Sequence, residues 1–205
     1  MQPGTTRTRL LPWLAAAALA TLTAVGHEAL NRAARHDVAV AVGAMYIDVT
    51  VTVTLRGDAA AAYRRGLDRD GNGQVAPEEL DAAPPPGPPE QCPLLSVAGR
   101  AAPLLPLYAP EVDLMGAAGT DGATVAVCTT WFAFAPEGLP DAFEAAVEDR
   151  YLPGEAALLT RSARGETGLS VHLEGARSEL LPAETPRVLK VKCTRDGANR
   201  GRAEP

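Results

Sequence analysis

The sequence predicts a mainly β protein, an antiparallel β-sandwich carrying an inserted helix–loop–helix. Three observations carry that prediction. Residues 46–55 alternate strictly between apolar and polar, and residues 124–134 form a long β-branched and aromatic run. Between them, a short Asp/Gly-rich segment flanked by helical patterns interrupts the β texture.

In the first run Ile47, Val49, Val51, Val53 and Leu55 fall on one face, and Tyr46, Asp48, Thr50, Thr52 and Thr54 on the other. That period of two marks a half-buried strand in an antiparallel sheet with one wet face. Residues 37–42 form a preceding strand that ends at Gly43. Residues 94–97 and 102–105 flank Ala98-Gly99-Arg100 as a hairpin, and residues 111–115 add a strand before the Gly-rich turn 116–122. The 124–134 run is apolar on both faces, which predicts a central strand covered on both sides. Weaker strands follow at 143–147, 157–162, 169–173 and 188–192, the first of them readable also as a helical turn. Several short strands separated by turns are the pattern of a sandwich.

The insert occupies residues 58–83. Asp58 is placed to cap a helix over 58–66, and Pro77 opens a second helix over 77–83. The prolines of the 84–90 connector then stop it as a stiff extended segment. Between the helices stand Asp68, Asp70, Asn72, Gly73, Gln74, Val75 and Glu79, spaced as oxygen donors, a sharp turn, an apolar anchor and a closing carboxylate. Over this loop and its flanking helices the chain resembles the EF-hand calcium-binding family. The resemblance implies side-chain ligands from Asp68, Asp70 and Asn72, a backbone carbonyl from Gln74, and both carboxylate oxygens of Glu79. It also implies that Gly73 turns the chain and that Val75 is buried beneath the loop. Calcium prefers about six to eight oxygen ligands, whereas magnesium demands a tighter octahedron. The expected cofactor is therefore Ca²⁺.

Two departures qualify the resemblance. Ala76 takes a place where a polar side chain often orients a water, and there is one hand only. EF-hands usually pair through a short β contact at the Val75 position, whereas Asp121-Gly122 and Asp196-Gly197 lack the remaining ligands. An unpaired loop points to the weak end of the range, about 10⁻⁴–10⁻³ M, as in extracellular modules.

Export is the matching expectation for location. Arg7 and Arg9 precede an apolar run from residue 10 to residue 25, so residues 1–26 read as a secretory signal peptide. The run is shorter than the roughly 20 residues a spanning helix prefers, and an uncleaved anchor is the alternative. The sandwich domain then covers 27–193, and residues 194–205 form a polar tail expected to be disordered. The net charge is −6 and lysine occurs only at Lys190 and Lys192. With no basic patch interleaved with aromatics, nucleic acid is excluded as a partner. Cys92, Cys128 and Cys193 allow one bridge at most, or three reduced thiols.

Other constellations carry other chemistry. His27 and His36 are candidate nickel or copper ligands, His172 reads as an ordinary strand residue, and Asp149 with Glu155 would be the acids of a hydrolase. Tyr108, Trp131 and Tyr151 could form a sugar platform, although Trp131 in an apolar strand reads as core. No nucleophile elbow, zinc-protease helix or phosphate loop is present. The order of leader, early histidine, β stretch, Asp-rich loop and further β strands is similar, over residues 36–173, to a particular bacterial group. These are the extracytoplasmic domains of nickel-permease and hydrogenase/urease accessory membrane proteins. The chain departs from that group in lacking its membrane helices. The expectation overall is an exported, periplasmic or secreted, calcium-binding protein that is not an enzyme. Its calcium is structural or shapes a surface for a protein partner at the cell envelope; transition-metal transport accessory is the alternative.

Overall fold

The computed structural model describes residues 34–152 and 154–196. The strictly alternating run becomes strand β2 (Tyr46–Arg56), paired antiparallel with β1 (Ala34–Val42) on one side and with β7 (Thr124–Phe134) on the other. Helix α1 (Gly57–Leu67), helix α2 (Pro77–Leu80) and a 3₁₀ turn (Pro89–Gln91) follow β2. Then come β3 (Leu94–Val97), β4 (Arg100–Ala102), β5 (Leu105–Pro106) and β6 (Glu111–Asp113). After β7 the chain runs through β8 (Ala142–Asp149), β9 (Ala157–Gly165), β10 (Leu169–Glu174), β11 (Ser178–Leu181) and β12 (Arg187–Arg195).

The strands form two sheets. One has the order β11-β9-β1-β2-β7-β5, with β6 also paired to β7, and the other has the order β10-β12-β8-β3-β4. Their inner faces meet in one core. Ile47, Val49, Val51 and Val53 of β2, with Val38 and Val40 of β1, face Leu95, Val147, Leu189 and Val191 of the opposite sheet. Burying each such side chain is worth about 1.5–3 kcal/mol, so the period-two apolar face of β2 alone is a large part of what holds the sheets together.

The sandwich is the expected architecture, but the first sheet is mixed rather than wholly antiparallel. β1 and β9 run parallel, in register from Ala34↔Ala157 to Val42↔Gly165. β9 arrives from the other sheet after β8, so no hairpin dictates its direction relative to β1.

Other elements differ at their edges. Helix α1 starts from Arg56 in extended conformation without a side-chain cap, and Asp58 lies inside its first turn. There its charge suits the helix dipole rather than an orphan N–H. Helix α2 is a single turn, shorter than the 77–83 expected. The hairpin turn is Ala98-Gly99, and Leu105 leaves for the other sheet. β6 ends at Asp113 instead of reaching residue 115. The outer face of β7 is only half-buried, so the strand is central by pairing but not covered on both sides. Thr194 and Arg195 belong to β12, so the tail cannot begin at 194. Residues 197–205 and the signal-peptide and His27 readings lie outside the described residues. Among those described, no helix is long and apolar enough to cross a membrane.

The insert sits where the chain leaves the first sheet for the second, between β2 and β3. Leu159→Ala, at a fully buried β9 position, is expected to cost about 2–5 kcal/mol in urea unfolding. Thr52→Ala on the outer face of β2 should stay within about 0.5 kcal/mol.

Candidate metal centre

Helix α1 is built by alanines, with Asp58 in its first turn and Arg64 and Arg65 in its last, each sign matched to the helix dipole. Ala60, Arg64 and Leu67 share its buried face, the i, i+4, i+7 stripe of a helix laid on a core. The helix closes with the Asp68 N–H donating to the Arg64 carbonyl at 3.1 Å, so the first acidic residue of the loop starts where the helix stops.

From there the loop coils around its own carboxylates. Asp68 accepts N–H donations from Asn72 (3.1 Å) and Gly73 (2.9 Å). Asp70 accepts from the Asn72 backbone (3.0 Å) and side chain (2.8 Å), and Asn72 Oδ1 accepts from the Gln74 N–H (2.8 Å). Gly73 makes the turn at φ +83°, left-handed territory that a Cβ disfavours. Pro77 then starts α2 and returns Glu79 to the loop. Glu79 Oε1 accepts from the Arg69 N–H (2.6 Å) and Oε2 from the Ala76 N–H (2.9 Å). These backbone donors, Ala76 first and then Arg69, hold the Glu79 carboxyl below its ordinary pKa.

The result is a convergence of charge. One carboxylate oxygen each of Asp68, Asp70 and Glu79 lies within 4.8 Å of the others. Each carboxylate has lone pairs beyond those its N–H donors use. Three hard oxygen anions at this spacing suit a hard divalent cation and leave mutual repulsion without one. The donor set therefore fits the ion the loop pattern implies. Val75 is buried in a small cluster with Leu67 and Ala83, apart from the main core.

A segment with no acidic ligand pattern packs against this loop. Val112 and Leu114, from β6 and just after it, cover the Leu67–Val75–Ala83 cluster. Gln74 forms an antiparallel bridge with Gly119, the Val75 N–H donates to the Ala118 carbonyl (2.9 Å), and the Thr120 N–H donates to the Gly73 carbonyl (3.1 Å). Arg64, only 1% exposed, threads into the same turn. Its Nη1 donates to the carbonyls of Ala117 (2.7 Å) and Gly119 (2.9 Å), and its Nη2 to those of Thr124 (2.6 Å) and Leu114. The sequence reading missed this residue. The signal was its place between Ala60 and Leu67 on the buried stripe.

The remaining candidates are dispersed. His36 is fully buried on β1, its Nδ1 2.5 Å from Asp149 Oδ2. The Arg187 Nε lies 3.4 Å from the same oxygen, and Arg187 Nη2 donates to the Tyr151 carbonyl. This is a sealed ion cluster tying β1 of one sheet to β8 and β12 of the other. Asp149 is thus not half of an open carboxylate pair, and Glu155 is exposed on the loop before β9. Trp131 and Tyr151 are core residues while Tyr108 is 68% exposed, so the three form no platform. Burial pushes the Tyr151 hydroxyl up to about 12. His172 is exposed on β10. The three cysteines are free, and burial raises the Cys193 thiol to about 11.

No protein-family model matches this chain, and a search of curated proteins finds no match.

Two outcomes follow from this geometry. Asp149→Ala leaves Arg187 buried without its anion and should destabilise the fold by about 3–5 kcal/mol, read from denaturant midpoints. The Glu79 pKa is lowered on folding, so its contribution to loop order is complete above the ordinary glutamate value of about 4.3 and fades as pH falls through the lowered one. Amide exchange at Arg69 and Ala76 should therefore be protected equally at pH 7 and pH 5, and deprotected only in more acidic solution.

Proposed function

We propose that this chain is an exported calcium-binding protein in which a single EF-hand loop, residues 68–79, holds a structural ion. The observation that carries this reading is the convergence of Asp68, Asp70 and Glu79 carboxylate oxygens to within 4.8 Å. They sit in the register that places Gly73 at the left-handed turn and Val75 beneath the loop. Asp68, Asp70 and Glu79 would hold the ion with the Asn72 side chain and the Gln74 carbonyl. Bound calcium would cancel the repulsion among the three carboxylates and so favour the coiled loop over its unfolded alternatives. Export rests on the charged and apolar leader pattern of residues 1–26.

A structural role is favoured over a switch by the shape of the insert. Helix α2 is one turn long and buries no residue of its own. Such a turn offers little surface to swing open. The transition-metal alternative draws no support from His36, whose ring is sealed against Asp149.

Calorimetric titration tests the reading. Wild-type protein should bind one calcium in the range of about 10⁻⁴–10⁻³ M, and Glu79→Gln should abolish the heat. At ten times the Kd, calcium should add about 1.4 kcal/mol of stability, a rise in Tm of about 3–6 °C. Absence of binding at millimolar calcium would falsify the proposal.

A further inference from the structure

We propose that the 112–124 segment acts for the 68–79 loop as a second hand acts in a paired EF-hand, and that Arg64 is the residue that positions it. The inference rests on the calcium reading of the loop and adds the groups that set the affinity of that site.

Three contacts join the segment to the loop and to the helix that enters it. The first is main-chain. The Gln74↔Gly119 bridge, with its Val75-to-Ala118 and Thr120-to-Gly73 hydrogen bonds, stands one residue before the Val75 position where an EF-hand pair makes its β contact. It fixes the backbone around Gln74, whose carbonyl is the one main-chain ligand. The second is apolar: Val112 and Leu114 cover the cluster of Leu67, Val75 and Ala83 beneath the loop. The third is Arg64, which gathers the carbonyls of Leu114, Ala117, Gly119 and Thr124 around one guanidinium. The Gly57 N–H adds a further tie, to the Ala123 carbonyl at 2.8 Å.

The physical need for such a clamp lies in the turn itself. Gly116, Gly119 and Gly122 give it more backbone freedom than other residues would, and so a larger entropy to lose on ordering. Four carbonyls turned inward need a donor, and one planar guanidinium with a fixed fork of N–H groups serves all four. Arg64 touches neither the ion nor a ligand atom, so it is a positioning residue. It makes the loop-competent backbone the dominant state, and apparent affinity scales with the fraction of molecules in that state. By linkage, calcium in the loop must strengthen the docking of the turn by the same factor.

Gly122 provides a way to loosen the clamp with every ligand left in place. A Cβ built on it would overlap the Arg64 guanidinium, and its backbone is not in the left-handed region. The test is calcium titration of the full chain by calorimetry for wild type, Gly122→Ala and Arg64→Met, with amide exchange followed at Val75 and Thr120. Both variants should bind calcium about tenfold more weakly than wild type, and calcium should slow exchange at both amides in wild type. Wild-type affinity in folded variants, or exchange at Val75 and Thr120 indifferent to calcium, overturns the inference and leaves the calcium reading standing. A wild-type protein that takes up no calcium sinks both. If neither variant folds, the wild-type exchange comparison decides the matter.

Discussion

The insert hangs on the burial of one positive charge. Arg64 is 1% exposed and forms no ion pair among the described residues; its Nη atoms donate to backbone carbonyls. A guanidinium withdrawn from water is tolerable only where enough carbonyl dipoles converge on it. That requirement forces the 114–124 turn to wrap around the end of α1. Once wrapped, the turn lies beside the 68–79 loop and bridges it at Gln74. Helix, turn and acidic loop are thus one unit, held from the side by β7, which receives the end of the turn.

The sandwich manages its other buried charges differently. Asp149 balances the Arg187 charge within one sheet and bonds His36 Nδ1 of the other, accepting also from the Tyr151 N–H. Such a cluster adds little net stability over a hydrophobic replacement, but it tolerates no loss of a partner. Its members come from β1, β8 and β12, so it fixes the registry of those strands as well as their charge. The cluster ties together the sheets at one end, and the Arg64 cradle fastens the insert.

The location of the insert follows from topology. A chain that leaves one sheet of a sandwich for the other needs a connection outside the core. Here that connection is a helix, an acidic loop, a single further turn and a proline-rich segment. Tyr63 donates to the Pro84 carbonyl (2.6 Å) and Arg69 to that of Ala82 (3.0 Å), so the returning arm is tied to the outgoing one. An ion in the loop would stiffen a crossover already stitched at both ends. That is the physical case for a structural role.

What the sequence alone determined was whatever depends on near neighbours. β2 and β7 were legible because a period of two and β-branched composition are local properties, and the two expected runs match the strands closely. The register of Asp68, Asp70, Gly73 and Glu79 was legible because all lie within one turn-and-helix of each other, and the fold brings the three carboxylates together. Tertiary structure decided what depends on distant partners. The parallel pairing of β1 with β9 follows from how the chain crosses between sheets, and β11 (Ser178–Leu181) has no alternation to betray it. Asp149 and His36 read as chemistry until 113 residues of separation closed to 2.5 Å and buried both. Most of all, the loop looked unpaired because its partner is not a second loop of the same kind. The Gly119 turn carries no ligand pattern, and only the fold, through Arg64, sets it at the loop's edge.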